Sequence, residues 1–99
     1  MKIALNHPIQ AHGEEVTELE LREPTGEDVI ALGYPYLIII GGDDDSQAME
    51  IRPKVIARYV AKLAGIPPSA INKVTPADFS RLTGAVMGFF VVEAEASSS

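Results

Sequence analysis

The sequence predicts a small single-domain α+β fold: two β-hairpins in the N-terminal half, followed by and packed on three α-helices. Three observations predict it. Val16, Glu18, Glu20 and Arg22 alternate with Thr17, Leu19 and Leu21, the period-two pattern of a half-buried strand. Residues 36–40, YLIII, are a β-branched run. Val55, Ile56, Tyr59, Val60 and Leu63, and later Phe79, Leu82, Val86, Phe89 and Phe90, recur at helical spacing. The domain is expected over residues 1–92, with 93–99 as a flexible C-terminal tail.

The elements follow in order. Ile3, Ala4 and Leu5 form a short strand that meets Asn6-His7-Pro8 and can resume at Ile9. Gly13 marks a turn, and Lys2–Leu5 is expected to pair antiparallel with Glu15–Arg22. Pro24 stops that strand, because it has no N–H to donate. Thr25 and Asp28 then stand at capping-box spacing: the Thr25 hydroxyl can accept from the Asp28 N–H, and the carboxylate can reach back to the Thr25 N–H. Glu27 and Asp28 add negative charge where the helix dipole favours it. The spacing predicts a helix over Thr25–Leu32, closed by Gly33 and Pro35. Val29 and Leu32 can share its buried face.

The run Tyr36–Ile40 pairs with Met49–Arg52 across the acidic loop Gly41–Ser46, giving the second hairpin. An alternative has Ser46 cap a helix beginning at Gln47. Pro53 argues against it, since it would break that helix within two turns, and suits the first position of the next helix instead. That helix is predicted over Pro53–Ala64, with Gly65 closing it and Pro67-Pro68 preventing its resumption. Ser69 begins a short turn through Val74. Thr75-Pro76-Ala77-Asp78 is the strongest helix start in the chain, with a threonine cap, proline first and aspartate third. The last helix is predicted over Thr75–Val92. Gly84 and Gly88, four apart on it, permit close helix approach, including a homo-oligomeric contact.

Composition bounds the function. Ninety-nine residues suffice for one modest core. With no tryptophan, three tyrosines and three phenylalanines, that core is mainly aliphatic. The net charge of −6 argues against a nucleic-acid surface, which needs a basic stripe. Zero cysteines exclude disulfides, thiol catalysis and cysteine-ligated metal. The start MKIALNHPIQ lacks the apolar run of a signal peptide. The apolar stretches Leu37–Ile40 and Ala85–Val92 fall far below the ~18 residues that span a membrane. A soluble cytoplasmic protein without membrane association is expected.

No chemistry-bearing constellation emerges. His7 and His12 have no spaced third ligand. Asp43, Asp44 and Asp45 are consecutive, whereas a calcium loop alternates its ligands and closes on a glutamate at about the twelfth position. Glu14, Glu15, Glu18 and Glu20 read as a solvated strand face rather than a carboxylate pair for acid–base work. No phosphate loop or nucleophile elbow is present. Ser46, Ser69 and Ser80 have no histidine partner pattern. The expectation is a non-enzyme with no cofactor and no metal. Two features could serve a protein partner. Lys54, Arg58 and Lys62, at every fourth residue, form a basic ridge suited to an acidic partner helix. Phe89 and Phe90, if exposed, would add an apolar contact. Met87, among apolar residues, adds to a surface of the kind a holding chaperone needs.

Several segments together carry a family resemblance: LREPTGEDVIALG, then YVAKLAGIPPSAINKVTPADFSRLTGAVMGFF, with Leu5, Pro8 and Ile9 near the start. In their order and spacing the chain resembles the tail assembly chaperone family of contractile-tailed bacteriophages, of the Mu and P2 type. The resemblance covers nearly the whole chain apart from residues 37–46 and the tail. It implies a non-catalytic protein in the bacterial host cytoplasm. Such a protein binds the tape-measure protein, keeps its long helical chain from aggregating, assists tail tube assembly and leaves before the particle is finished. The alternative is a structural tail component, a tube or connector subunit, that stays in the virion.

Overall fold

A computed structural model describes residues 1–41 and 47–98, with 91–98 described by their backbone alone. The acidic run Asp43–Asp45, and with it the calcium reading, lies outside the described residues. The architecture is α+β, with two separate two-stranded antiparallel sheets and a helical C-terminal half.

The first sheet pairs β1 (Lys2–Ala11) with β2 (Glu14–Glu20). His12 and Gly13 turn the chain, both at positive φ (53° and 76°). That is the requirement of the I′ turns whose twist matches a two-residue hairpin. The pairing runs Lys2↔Glu20 to Ala4↔Glu18, and resumes at Ile9↔Val16. Between these, Leu5-Asn6-His7-Pro8 faces the single residue Thr17, a large bulge in which Pro8 has no N–H to offer the ladder. The bulge keeps Leu5, Ile9 and Ala11 on the buried face beside Leu19, while Leu21 extends the line beyond the strand.

Helix α1 (Gly26–Leu32) follows the proline corner, and α2 (Pro53–Ala64) has proline at its first position, as the sequence predicts. The five stripe residues of α2, Val55, Ile56, Tyr59, Val60 and Leu63, are all buried. Gly65 closes it in the left-handed conformation (φ 70°, ψ 34°), and the Ile66 N–H bonds back to the Ala61 carbonyl at 3.0 Å, a Schellman closure. Residues expected as a turn after Pro67 form a one-turn helix, α3 (Pro68–Ile71), that buries Ala70 and Ile71. Helix α4 (Pro76–Ser98) continues beyond the expected end at Val92, through the segment expected as a tail.

The core lies between the inner face of β1–β2 and helices α2, α3 and α4. Leu82 and Val86 of α4 are fully enclosed. Met87 is buried in this core rather than presented at the surface, because α4 is covered there on more than one side: the consecutive residues Ala85, Val86 and Met87 are all buried. Among the described residues, an added Cβ at Gly84 or Gly88 would meet nothing within 4 Å, so the pair supports no close helix approach to any of them.

The second sheet pairs β3 (Tyr36–Ile40) with β4 (Gln47–Ile51), from Tyr36↔Ile51 to Ile40↔Gln47 without irregularity. It rests on the core through its foot, where Pro35 is buried and Tyr36 half-buried. Residues 37–40 and 47–51 are exposed.

Candidate partner-binding surface

Two buried aspartates build the surface by fixing the helix starts. Asp28 on α1 is 2% exposed. Its carboxylate accepts both guanidinium nitrogens of Arg22 (2.8 and 3.1 Å), the Thr25 N–H (2.8 Å) and the Thr25 hydroxyl (3.3 Å). The Lys62 ammonium of α2 lies 3.3 Å away. The Arg22 hydrogen bonds, then the Thr25 N–H, hold this carboxyl well below the usual carboxylate range against the opposing effect of burial. The expected capping carboxylate therefore also ties the end of β2 and the last turn of α2 to the start of α1.

Asp78 does the same for α4. The Thr75 hydroxyl accepts from the Asp78 N–H at 3.3 Å, as the cap predicts. The Asp78 carboxylate does not close the box. It crosses to the bulge of β1 and accepts the N–H groups of Asn6 (3.1 Å) and His7 (3.0 Å), with Arg81 as ion-pair partner. Arg81 first, then those two amides, hold its carboxyl well below the ordinary range. The amides that the bulge withdraws from the strand ladder thus find a buried acceptor.

With α1 and α4 fixed, a groove opens between them. Its walls are the corner Glu23–Gly26 on one side, Val29, Ile30 and Tyr34 on another, and Gly88, Phe89 and Phe90 of α4. Ile30 is 89% exposed and Tyr34 54% exposed. At the inner end four aromatic rings meet: Phe90 packs edge-on against Tyr59 (5.7 Å), Tyr34 and Tyr36 (6.0 Å each). The buried Tyr59 hydroxyl donates to the Gly33 carbonyl at 2.7 Å, pinning the end of α1 to α2. Burial raises the Tyr59 phenol above its ordinary pKa, with the Asp28 charge adding to the effect. Among the described residues the lining is mainly apolar, with the Glu23 carboxylate and Met1 also bordering it, an arrangement suited to holding apolar side chains.

The structure separates the residues that the sequence marked for a partner. Phe89 and Phe90 line this groove and are half-buried, each packed partly on the core. Lys54, Arg58 and Lys62 are exposed along α2. Lys62 is engaged with Asp28, and Lys54 borders a second, shallow hollow with Ala57, Val74, Pro76 and Phe79. Ile30 and Tyr34 carried no mark in the sequence. The available signal was Ile30 itself, an isoleucine off the Val29–Leu32 face of a helix too short to bury two faces. The proline corner, which offered no chemistry as sequence, is a wall of the groove.

Among the described residues no three of His, Cys, Asp and Glu gather as metal ligands. No helix among them is long and apolar enough to cross a membrane. No curated protein and no solved structure matches the chain. Residues 2–91 match the family described as phage tail assembly chaperone proteins, E, or 41 or 14. The match spans both hairpins and all four helices as far as Val91, and so the chain belongs to the phage tail assembly chaperone family.

Proposed function

We propose that the chain holds apolar helical segments of the tape-measure protein in the α1–α4 groove while the tail tube assembles, and is released afterwards. The observation that carries this reading is the exposure of Ile30 and Tyr34 beside Phe89 and Phe90 in one open apolar groove. An amphipathic helix can seat its apolar face there as a helix-in-groove contact. The described lining is mainly apolar, which suits a client presenting many similar segments. The net charge of −6 keeps the loaded chaperone soluble. Lys54 and Arg58 supply a second contact for acidic stretches of the client or of the tube protein; Lys62 contributes less, because Asp28 already holds it. The work is non-catalytic, needs no cofactor, and takes place in the bacterial host cytoplasm.

Co-expression with a tape-measure fragment tests the reading. The fragment should stay soluble and co-purify with the chain. Ile30→Glu should weaken that complex about tenfold or more, because it removes an apolar side chain from the groove wall and puts a charge in its place. Because Ile30 is almost fully exposed, the variant should melt close to the wild type. A fragment that is insoluble with or without the chain overturns the proposal. Stoichiometric amounts of the chain in purified particles, counted by mass spectrometry, would make it a retained tail component instead.

A further inference from the structure

We infer that the open edge of β3 is a self-association edge, where two copies of this chain pair β3 antiparallel about Ile38. The product is a four-stranded sheet in the order β4-β3-β3′-β4′. This pairing is independent of what the groove holds.

Sequence pattern and surroundings disagree at this strand. A continuous apolar run without alternation is the pattern of a strand buried on both faces inside a larger sheet. Here YLIII is one of only two strands in its sheet, and Leu37, Ile38, Ile39 and Ile40 are 49%, 46%, 47% and 71% exposed. An isolated two-stranded ribbon is marginal in water, whereas three or more strands are self-supporting.

The strand also lacks protection. Edge strands are ordinarily guarded by charge, proline or a bulge. β1 has Lys2, Pro8 and a bulge; β2 carries Glu14, Glu15, Glu18 and Glu20; β4 carries Glu50. Among the described strands, β3 alone has neither a charge nor an irregularity.

Hydrogen-bond parity then fixes the register. The Arg52 N–H donates to the Pro35 carbonyl at 2.9 Å, one step beyond the Tyr36↔Ile51 pair. In an antiparallel ladder, inward-facing and outward-facing residues alternate. Leu37 and Ile39 therefore face β4, and the N–H and C=O groups of Tyr36, Ile38 and Ile40 face outward. Antiparallel pairing about Ile38 sets Ile38 opposite Ile38′ and Tyr36 opposite Ile40′, so every outward group of the strand finds its complement. Leu37 then lies beside Ile39′, apolar meets apolar at each position, and Glu50 stays on the outer strands. Such a contact is isologous and closes with two copies.

A pairing of one five-residue strand from each copy is a small contact beside the roughly 800 Å² per partner of a standard complex, so monomer and dimer should exchange with concentration. It joins the apolar face of Tyr36, Ile38, Ile40, Met49 and Ile51 to its symmetry mate and places two client grooves on one particle.

The chain contains no cysteine, which makes the register directly testable. In the paired sheet the two Ile38 Cα atoms stand about 5.5 Å apart, within disulfide reach. Purified Ile38→Cys should form a covalent dimer on mild oxidation. Ile40→Cys should not, since its opposite number is Tyr36′. Sedimentation equilibrium of the unmodified chain should show mass rising with concentration towards the dimer, and Ile38→Lys should weaken association at least tenfold without altering the circular dichroism spectrum. A chain monomeric at all concentrations overturns the inference. So do equal cross-linking of both cysteine variants and undiminished association of the lysine variant. Protection of β3 amides from exchange only after a tape-measure fragment is added would assign the edge to the client instead.

Discussion

The Tyr59 hydroxyl is the most informative single group to remove. It lies at the junction of α1, α2, the foot of the second hairpin and the aromatic end of the groove, and it donates to Gly33 at 2.7 Å. Tyr59→Phe keeps the ring, its volume and its edge-on packing with Phe90, and deletes only that bond. Gly33 is an exposed residue, and its bond to Tyr59 is only partly buried. The cost should accordingly be that of one exchanged hydrogen bond, about 1 kcal/mol, rather than that of an orphaned buried group. For a domain of this size that lowers the melting temperature by roughly 4–8 °C. Tyr59→Ala also empties a fully buried site and should cost about 3–5 kcal/mol, a large part of the stability of a small domain. Thermal unfolding followed by circular dichroism measures both. The pH dependence adds a second check. Burial raises the folded phenol pKa above its unfolded value near about 10. The contribution is therefore complete below that pH and is lost as pH rises through the folded value. The gap between wild type and Tyr59→Phe should narrow in alkali. A melting temperature unchanged by Tyr59→Phe, or a loss as large as that of Tyr59→Ala, would refute this account of the junction.

Two further outcomes follow from the helix ends. Asp28 and Asp78 both titrate below their unfolded values, so their stabilisation is present above about pH 4 and is lost as pH falls below it. In urea titrations Asp28→Asn and Asp78→Asn should each lower the midpoint at neutral pH and flatten its decline in acid; an acid limb as steep as the wild type's would count against the ties. Gly65→Ala meets no steric obstacle, yet it forces a Cβ into the left-handed region. It should cost about 1–2 kcal/mol, and equal urea midpoints for the two proteins would contradict the Schellman closure.

The sequence was most legible where structure is decided locally. Pro53 and Gly65 bracket α2 at the residues expected, and its stripe is buried residue for residue. Thr25 and Asp28 meet because three residues of helix bring them together. What lay beyond reach was the use of the same carboxylates over distance. Nothing near Asp78 announces that its partners are the amides of Asn6 and His7, because a bulge in β1 creates that need and only the folded chain brings the two together. The burial of Met87 escapes a reading of the sequence because a run such as AVMGFF has apolar residues on every side, and packing alone decides which turn inward. Groove residues were invisible for the converse reason: exposure of Ile30 and Tyr34 is set by where neighbouring elements stop.

The tie between Asp78 and the first strand also bears on when the protein can fold. A chain emerging from the ribosome exposes residues 6 and 7 long before residue 78, and completes β2, α1 and α2 in the interval. Throughout that time the bulge has no acceptor for its amides, and the inner face of the first hairpin has no α4 to cover it. Closure at such separation resists residue-by-residue folding from the N-terminus. Completion of the domain therefore waits for the synthesis of α4, and a nascent fragment that ends before α4 lacks the second wall of the groove. The groove is assembled only once α4 has been made.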